Sequence, residues 1–331
     1  SQTIRVITTI YNNSGKSEAT FEKEHIASPG MTTLETDLNV LNPQLWDIDS
    51  PTLYKAVTQI KIDETVVDEY VTPFGIRTIK YSAEGGFELN GKHVRMQGVC
   101  MHHDLGPLGA AVNRRATERQ LEIMKSMGVN AIRTSHNPPS PEQLEFCDKL
   151  GLVVQVEAFD CWEMAKVPNG YNKYFKEWHD RDLRDMIRRD RNHPSVVMWS
   201  IGNEILEQGK EDGWKLARKL TAICKEEDTT RPISAGFNYY PASVKNGLAA
   251  EIEIVGLNYH PASYGRLLEQ HPDWIVLGSE TSSCVSSRGE YHLPIEMYKK
   301  HESLEVSSYD IIGPPWAYPP DAEFYYIEKN P

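Results

Sequence analysis

The spacing of apolar residues changes once along the chain, near residue 83, and this change most constrains the fold. Before it, short runs alternate apolar and polar residues between turn residues, as over residues 4–15, 32–40 and 52–63. Such period-two alternation is typical of antiparallel strands and predicts an immunoglobulin-like β-sandwich over residues 1–82. Nothing in this domain looks catalytic, and we expect Trp46 in a core or interface rather than as an exposed platform on which a ligand stacks.

From residue 83 onward the pattern becomes apolar strand, polar loop and amphipathic helix, repeated. Two helices are expected to begin at Thr117 and Ser140, each ending at a glycine. Successive strand–helix units predict a parallel sheet, and the absence of a Gly-rich phosphate turn favours a (β/α)₈ TIM barrel over a doubly wound sheet. The barrel domain is therefore placed over residues 83–331, with strands at residues 94–99, 130–133, 152–156, 196–201, 232–235, 254–258 and 275–278.

An eighth strand is not evident in the tail after Thr281. The prolines of GPPWAYPP fit an extended loop better than a central strand, since proline cannot donate a ladder hydrogen bond. Either strand eight lies within residues 321–330, or the chain ends before the barrel closes. We accordingly expect a multidomain β plus α/β protein whose TIM barrel is incomplete at strand eight.

The composition of the chain excludes several kinds of binding partner. The formal net charge of −12 argues against nucleic acid, because a phosphate backbone is held mainly by Lys and Arg. The longest apolar stretches fall well short of the roughly 20 residues that cross a bilayer, so no membrane partner is predicted. The five cysteines contain no C-x-x-C pair, which indicates neither a zinc site nor a disulfide framework and leaves the compartment open.

Polar residues follow most of the predicted barrel strands, where the catalytic residues of TIM barrels lie. Glu204 follows strand four and Glu280 follows strand seven, so the two carboxylates should face each other across the barrel mouth. Two carboxyl groups about 5 to 5.5 Å apart can cleave a glycosidic bond with retention. We predict Glu204 as the general acid/base and Glu280 as the nucleophile, oriented by Arg133, with Asn203 donating to the sugar 2-hydroxyl.

Four segments resemble glycoside hydrolase family 2, particularly its bacterial β-galactosidase branch. They are GVCMHHDLGPLGAAVN, IRTSHNPPSPEQLEFCDKLGLVV, MWSIGNE and GSETSSC. The resemblance covers essentially the whole chain. It implies an immunoglobulin-like domain followed by a (β/α)₈ barrel, and a fragment that lacks the family's N-terminal sugar-binding domain and the end of the barrel.

The resemblance also implies roles for individual residues. Glu204 matches the acid/base and Glu280 the nucleophile, and further positions match the sugar site: His102, Arg133, His136, Asn203, Tyr259 and Trp162. No organic cofactor is implied. Some members hold magnesium through a Glu and a His near the acid/base, but Cys161 and Glu163 stand at the comparable places, so no metal site is predicted.

These observations predict a retaining β-glycosidase of the β-galactosidase type that acts on an oligosaccharide or other glycoside, with a homo-oligomer left open. Within the enzyme class, β-glucuronidase and β-mannosidase remain alternatives. A glucuronidase should bring cations to the sugar carboxylate, and only Arg133 and Lys166 are evident. From another class, the chain could be a catalytically silent carbohydrate-binding or structural fragment.

Overall fold

The computed structural model describes residues 2–259 and 263–281. Its first part is an antiparallel sheet of four strands in the order β2-β1-β3-β4. The strands are β1 (Gln2–Tyr11), β2 (Ser17–Ala27), β3 (Tyr54–Ile62) and β4 (Thr65–Phe74). This sheet belongs to the predicted sandwich domain. The strand expected over residues 32–40 is wrong, because that segment is mostly exposed, has no regular secondary structure and pairs with no strand among the described residues.

A second antiparallel sheet joins the first to the barrel. It contains β5 (Ile79–Ser82), β6 (Gly86–Leu89) and β7 (Lys92–His93). The boundary expected between residues 82 and 83 falls in the turn between β5 and β6. We keep the division into residues 1–82 and 83–331 as a proposal.

The remainder forms a parallel sheet of seven strands that follow one another in chain order. The strands are β8 (Gly98–His102), β9 (Ala131–Ser135), β10 (Val153–Glu157), β11 (Val196–Asn203), β12 (Ile233–Phe237), β13 (Ile254–Asn258) and β14 (Ile275–Glu280). Its two ends approach each other, since Cys100 Sγ on β8 lies 3.2 Å from the carbonyl oxygen of Ser279 on β14. Among the described residues, the sheet is therefore a curled, seven-stranded part of a TIM barrel, consistent with the predicted fold. The possible strand at residues 321–330 lies outside the described residues.

Helices link the barrel strands. They are α1 (Arg114–Ser126), α2 (Pro141–Leu150), α3 (Asn172–Asp190), α4 (Gly213–Glu227), α5 (Tyr240–Lys245) and α6 (Tyr264–Gln270). Ser140 caps α2 as predicted, with its hydroxyl accepting from the Gln143 N–H. The predicted start of α1 at Thr117 is wrong, because the Asn113 side chain caps the helix by accepting from the Ala116 N–H. In the part of the chain described here, no helix is long and apolar enough to cross a membrane.

The lower end of the barrel, opposite the strand C-termini, is sealed by an apolar group that we call the basal cluster. Its members are Trp46, Phe87, Leu89, Ala131, Val153, Val197, Met198 and Ile254. Trp46 is fully buried and donates its indole N–H to the Asp148 carbonyl at 2.8 Å, which confirms its expected place in a core. The cluster thus joins the segment before β3 and the β5–β7 sheet to the barrel strands.

The basal cluster also explains why the first barrel strand begins later than predicted. Val94 and Met96 pack against it instead of starting a barrel strand, and the Val94 N–H donates to the Phe87 carbonyl at 2.9 Å. The predicted strand at residues 94–99 is therefore wrong at its start, and β8 begins at Gly98. The alternation of apolar residues continues unbroken from Val94 into β8. The sequence pattern therefore does not show where packing on the basal cluster ends and pairing within the barrel sheet begins.

Candidate active site

The two predicted catalytic carboxylates both lie where barrel strands end. Glu204 directly follows β11, and Glu280 is the last residue of β14. The backbone of Glu204 has φ +45°, a left-handed conformation that L residues rarely adopt, and its N–H donates to the Gly236 carbonyl at 2.8 Å. A strained backbone held in this way is common at functional sites, where it aims one side chain.

Glu204 is surrounded by neutral amides. One carboxyl oxygen accepts from Asn258 Nδ2 at 2.9 Å, and the other accepts from Asn238 Nδ2 at 3.1 Å. Burial raises the pKa of Glu204 above its ordinary value; the Asn258 hydrogen bond opposes this rise, and the negative charge of Glu280 adds to it. These surroundings suit a carboxyl group that must hold a proton before it donates it.

The Glu280 carboxylate is in contact with the side chains of an arginine, a histidine and a tyrosine. Arg133 Nη1 donates to Glu280 Oε1 at 2.6 Å, and His136 Nε2 lies 3.4 Å from the same oxygen. The Tyr259 hydroxyl donates to the other oxygen, Oε2. Tyr259 itself has φ +62° and is fixed by its N–H, which donates to the Glu280 carbonyl at 2.7 Å. The Glu280 carboxylate therefore has a compensated charge and a fixed orientation.

Arg133 and Asn203 connect the two carboxylates beneath the cleft. Arg133 Nη2 donates to Asn203 Oδ1 at 2.9 Å, and Asn258 Nδ2 reaches the same oxygen at 3.1 Å. Gly236 forms the floor at this point, since a Cβ there would lie 3.0 Å from both Arg133 Nη2 and Asn258 Oδ1. The structure thus brings together Arg133, His136, Asn203, Glu204, Tyr259 and Glu280.

His102 lies at the exposed end of β8 and meets His136 edge-on, with ring centroids 5.0 Å apart. Burial against its neighbours lowers the pKa of His102, and the nearby His136 adds to this effect. His102 therefore lies at the edge of the cluster around Glu280, and its role in sugar binding stays a prediction.

Trp162 does not line the cleft. It is fully buried in the core, donates its indole N–H to the Ile201 carbonyl at 2.7 Å, and lies so close under Gly202 that a Cβ there would come within 2.8 Å. The expectation of a sugar-binding Trp162 is corrected to a supporting role beneath β11. An apolar indole between two strand-end segments packs more favourably inside the barrel wall than in water.

Sequence reasoning did not assign roles to several residues that the structure places in the site. Glu157, Asn238 and Asn258 were visible only as polar residues at strand ends, and Ser279 was not singled out. Ser279 Oγ donates to Asn258 Oδ1 at 2.6 Å and so fixes the amide that faces Glu204. The signal available was position at a strand end, which does not say which buried polar groups meet.

A metal site was not predicted, and the residues at the comparable places do not converge. Cys161 is buried in the core, whereas Glu163 is exposed. Among the described residues, no group of three or more His, Cys, Asp or Glu side chains is arranged to hold a metal ion.

Comparison with known proteins places this site in a family. Beta-galactosidase BoGH2A from Bacteroides ovatus is 38% identical in an alignment that covers 99% of this chain and 44% of that protein. A beta-glucuronidase from Bacteroides fragilis is 27% identical over 88% of this chain and 41% of its own length. The chain therefore spans less than half the length of these relatives.

Solved structures give the same result. A glycosyl hydrolase family 2 member from Bacteroides cellulosilyticus is 41% identical, with a TM-score of 0.81 over 85% of this chain and 36% of that one. A Bacteroides uniformis beta-glucuronidase is 28% identical, with a TM-score of 0.79 over 99% of this chain and 40% of that one. One family model, described as glycosyl hydrolases family 2, matches residues 1–77. A second, described as the TIM barrel domain of glycosyl hydrolases family 2, matches residues 82–304. This chain belongs to glycosyl hydrolases family 2.

Proposed function

We propose that the protein is a retaining β-glycosidase that removes terminal β-linked sugars by double displacement. The observation that carries the proposal is the contrast between two carboxylates at one barrel mouth. Glu204 lies among neutral amides with a raised pKa, and Glu280 lies against Arg133 with its charge compensated. Environments that separate two carboxyl groups in this way assign an acid and a nucleophile.

The proposed reaction has two steps. In the first, a Glu280 oxygen attacks the anomeric carbon while protonated Glu204 gives its proton to the leaving glycosidic oxygen, so the C1–O bond breaks and a glycosyl ester forms. In the second, ionised Glu204 takes a proton from water, whose oxygen attacks the same carbon and releases Glu280. Two inversions give net retention, and Glu204 ends protonated as it began.

The surrounding residues have separate proposed tasks. Arg133 holds the nucleophile rather than the sugar, since its five N–H groups are shared among Glu157, Asn203, Glu280 and the Ser279 carbonyl. Contacts to sugar hydroxyls are assigned to His102, His136, Asn203 and Tyr259. The Tyr259 hydroxyl also orients Glu280 before attack.

We propose β-galactoside as the substrate class. A beta-galactosidase is 38% identical over 99% of this chain, whereas the beta-glucuronidase structure that covers the same share is 28% identical. The two described cations close to the catalytic pair also have no donor left for a sugar carboxylate. Lys166 Nζ donates to Asp160 Oδ1 at 2.7 Å and to the carbonyls of Asp160 and Asn203, each at 3.2 Å. β-Glucuronidase is the second candidate because relatives carry that name. β-Mannosidase and a catalytically silent fragment are the remaining alternatives.

The test compares aryl β-galactoside, β-glucuronide and β-mannoside hydrolysis by the full-length protein, with NMR detection of the first anomer released. We expect galactoside hydrolysis and a β-anomer. Glu280→Gly should be inactive in buffer but should form the α-galactosyl azide when sodium azide is added. A first-formed α-sugar, or no azide product, contradicts the mechanism; preference for the glucuronide contradicts the substrate assignment alone.

A further inference from the structure

Glu157, at the end of β10, is a fully buried carboxylate directly beneath the nucleophile's partners. It accepts from Arg133 Nε at 3.1 Å, Arg133 Nη2 at 2.7 Å and Ser200 Oγ at 2.7 Å, while His136 Nδ1 lies 2.7 Å from its other oxygen. A buried carboxylate is tolerated only when its oxygens are satisfied in this way. Glu157 is therefore held in one orientation by three side chains.

Two of these side chains continue to Glu280. Arg133 reaches it through Nη1 at 2.6 Å, and His136 faces it through Nε2 at 3.4 Å. An ionised carboxylate can only accept, so the His136 nitrogen against Glu157 carries the hydrogen, and the Nε2 atom is the one presented to Glu280. Burial alone would raise the pKa of Glu157, but the Arg133 charge and the His136 hydrogen bond lower it overall, which keeps it an acceptor.

The negative charge of Glu157 also offsets part of the positive potential that Arg133 exerts on Glu280. One guanidinium serves both Glu157 and Glu280, with ion-pair distances of 2.7 Å and 2.6 Å. If Glu157 were neutral, the whole guanidinium charge would act on Glu280. The nucleophile would then be a more stable anion and would attack more slowly.

We propose that Glu157 is a positioning residue for Glu280: it fixes the plane of Arg133 and the tautomer of His136, and it shares the Arg133 charge with the nucleophile. The inference rests on the proposed function, in which Glu280 attacks the sugar. It adds a residue that touches neither substrate nor reacting atoms.

The test is Glu157→Gln in the full-length protein, with Asp148→Asn as the matched control. Asp148 is a second buried carboxylate, which accepts from the Ser195 N–H at 3.1 Å and lies 2.6 Å from His193 Nδ1, but it is next to the basal cluster, away from the site. Both variants should lose thermal stability. Only Glu157→Gln should lose about ten- to a hundredfold in kcat, the cost of a misplaced catalytic group.

The readout specific to positioning is the pH profile of kcat/KM. In Glu157→Gln, the acidic limb should move to lower pH because Glu280 gains the undivided Arg133 charge, while Asp148→Asn keeps the wild-type profile. The titratable or charged groups around Glu280 that remain in both variants are Cys100, His102, Arg133, His136, Glu204 and Tyr259.

Should Glu157→Gln fail to fold, Ser200→Ala removes one hydrogen bond to Glu157 without touching Glu280. Its control is Ser234→Ala, a buried serine that accepts from Gln155 at 2.8 Å. We expect Ser200→Ala alone to lower kcat several-fold. Because Glu157 keeps its charge and loses a competing donor, it should interact more strongly with Arg133, and the acidic limb should shift to higher pH, opposite to the shift in Glu157→Gln. If the parent passes the azide test but the profile keeps its wild-type limbs, the inference on Glu157 is overturned and the proposed function stands.

Discussion

The two ends of the barrel sheet are built on different principles. The basal cluster is apolar, with Trp46 and Leu89 fully buried. At the opposite end, the buried groups are Arg133, Glu157 and Asn203, and each is held by several polar partners. Apolar burial stabilises without regard to direction, whereas buried ion pairs contribute little net stability and demand precise geometry. We therefore expect substitutions to separate stability at the lower end from catalysis at the upper end.

The largest expected effect is at the upper end. Glu204→Gln should slow hydrolysis of alkyl β-galactosides by about 10² to 10⁴, the usual contribution of a general acid. Activated dinitrophenyl galactosides need little protonation, so their first step should be much less affected. Steady-state and burst kinetics on both substrates measure this. Equal losses on the two substrates would contradict the assignment of Glu204.

At the lower end, Leu89→Ala should reduce the free energy of unfolding by about 2 to 5 kcal/mol, because it leaves a cavity in the basal cluster. The kcat of the protein that remains folded should not change. Denaturant titration and active-site-normalised rates give the two numbers. Leu41→Ala is the control, since Leu41 is 81% exposed. A fall in kcat that parallels the loss of stability would remove the distinction between the two ends.

Gly236→Ala sharpens the comparison because it changes packing at the polar end. The new methyl group would lie 3.0 Å from Arg133 Nη2 and Asn258 Oδ1, which must move by a few tenths of an ångström. We expect about a tenfold loss of kcat/KM with a small change in melting temperature. Gly209→Ala is the matched control, since its Cβ would meet nothing within 4 Å. Identical kinetics for the two variants would show that the cleft floor tolerates movement.

The smallest expected effect is a pH-dependent stability difference at Glu204. Folding raises the pKa of Glu204, so its contribution to stability is complete below the unfolded value and is lost as pH rises through the folded value. Glu204→Gln avoids this loss. The free energy of unfolding of Glu204→Gln relative to wild type should therefore increase as pH rises from about 4 to about 8, as measured by denaturant titration at each pH. A constant difference between the two proteins across that pH range would contradict the prediction that folding raises the pKa of Glu204.

Much of the fold follows from local pattern. Buried strands are apolar throughout in a parallel barrel, and their ends are marked by polar residues, which is why Glu204 and Glu280 could be placed without coordinates. Ser140 followed by Pro141 likewise marks a helix start by local chemistry. These features depend on residues near one another in sequence.

What could not be predicted depends on partners distant in sequence. Residues 32–40 alternate as a strand does but find no sheet partner among the described residues, and Val94 alternates with its neighbours while packing on the basal cluster. Trp162 is compatible with a sugar platform and with a core, and the choice depends on Gly202 in the next strand. The contacts of Glu157 join three sequence regions, at residues 133–136, 157 and 200, and no spacing rule reports such a convergence.

The basal cluster has a consequence for how this chain can be recombined. Trp46 and Ile48 pack on the barrel, Lys125 Nζ donates to the Ile48 carbonyl at 3.0 Å, and a Cβ at Gly151 would overlap that carbonyl at 2.1 Å. A chimera that exchanges the barrel at residue 77 or 82 would therefore cut through a shared core. A donor barrel should be transplanted together with residues 44–53 and the β5–β7 sheet. These segments pack on the barrel, although they lie within or beside the preceding domain in sequence.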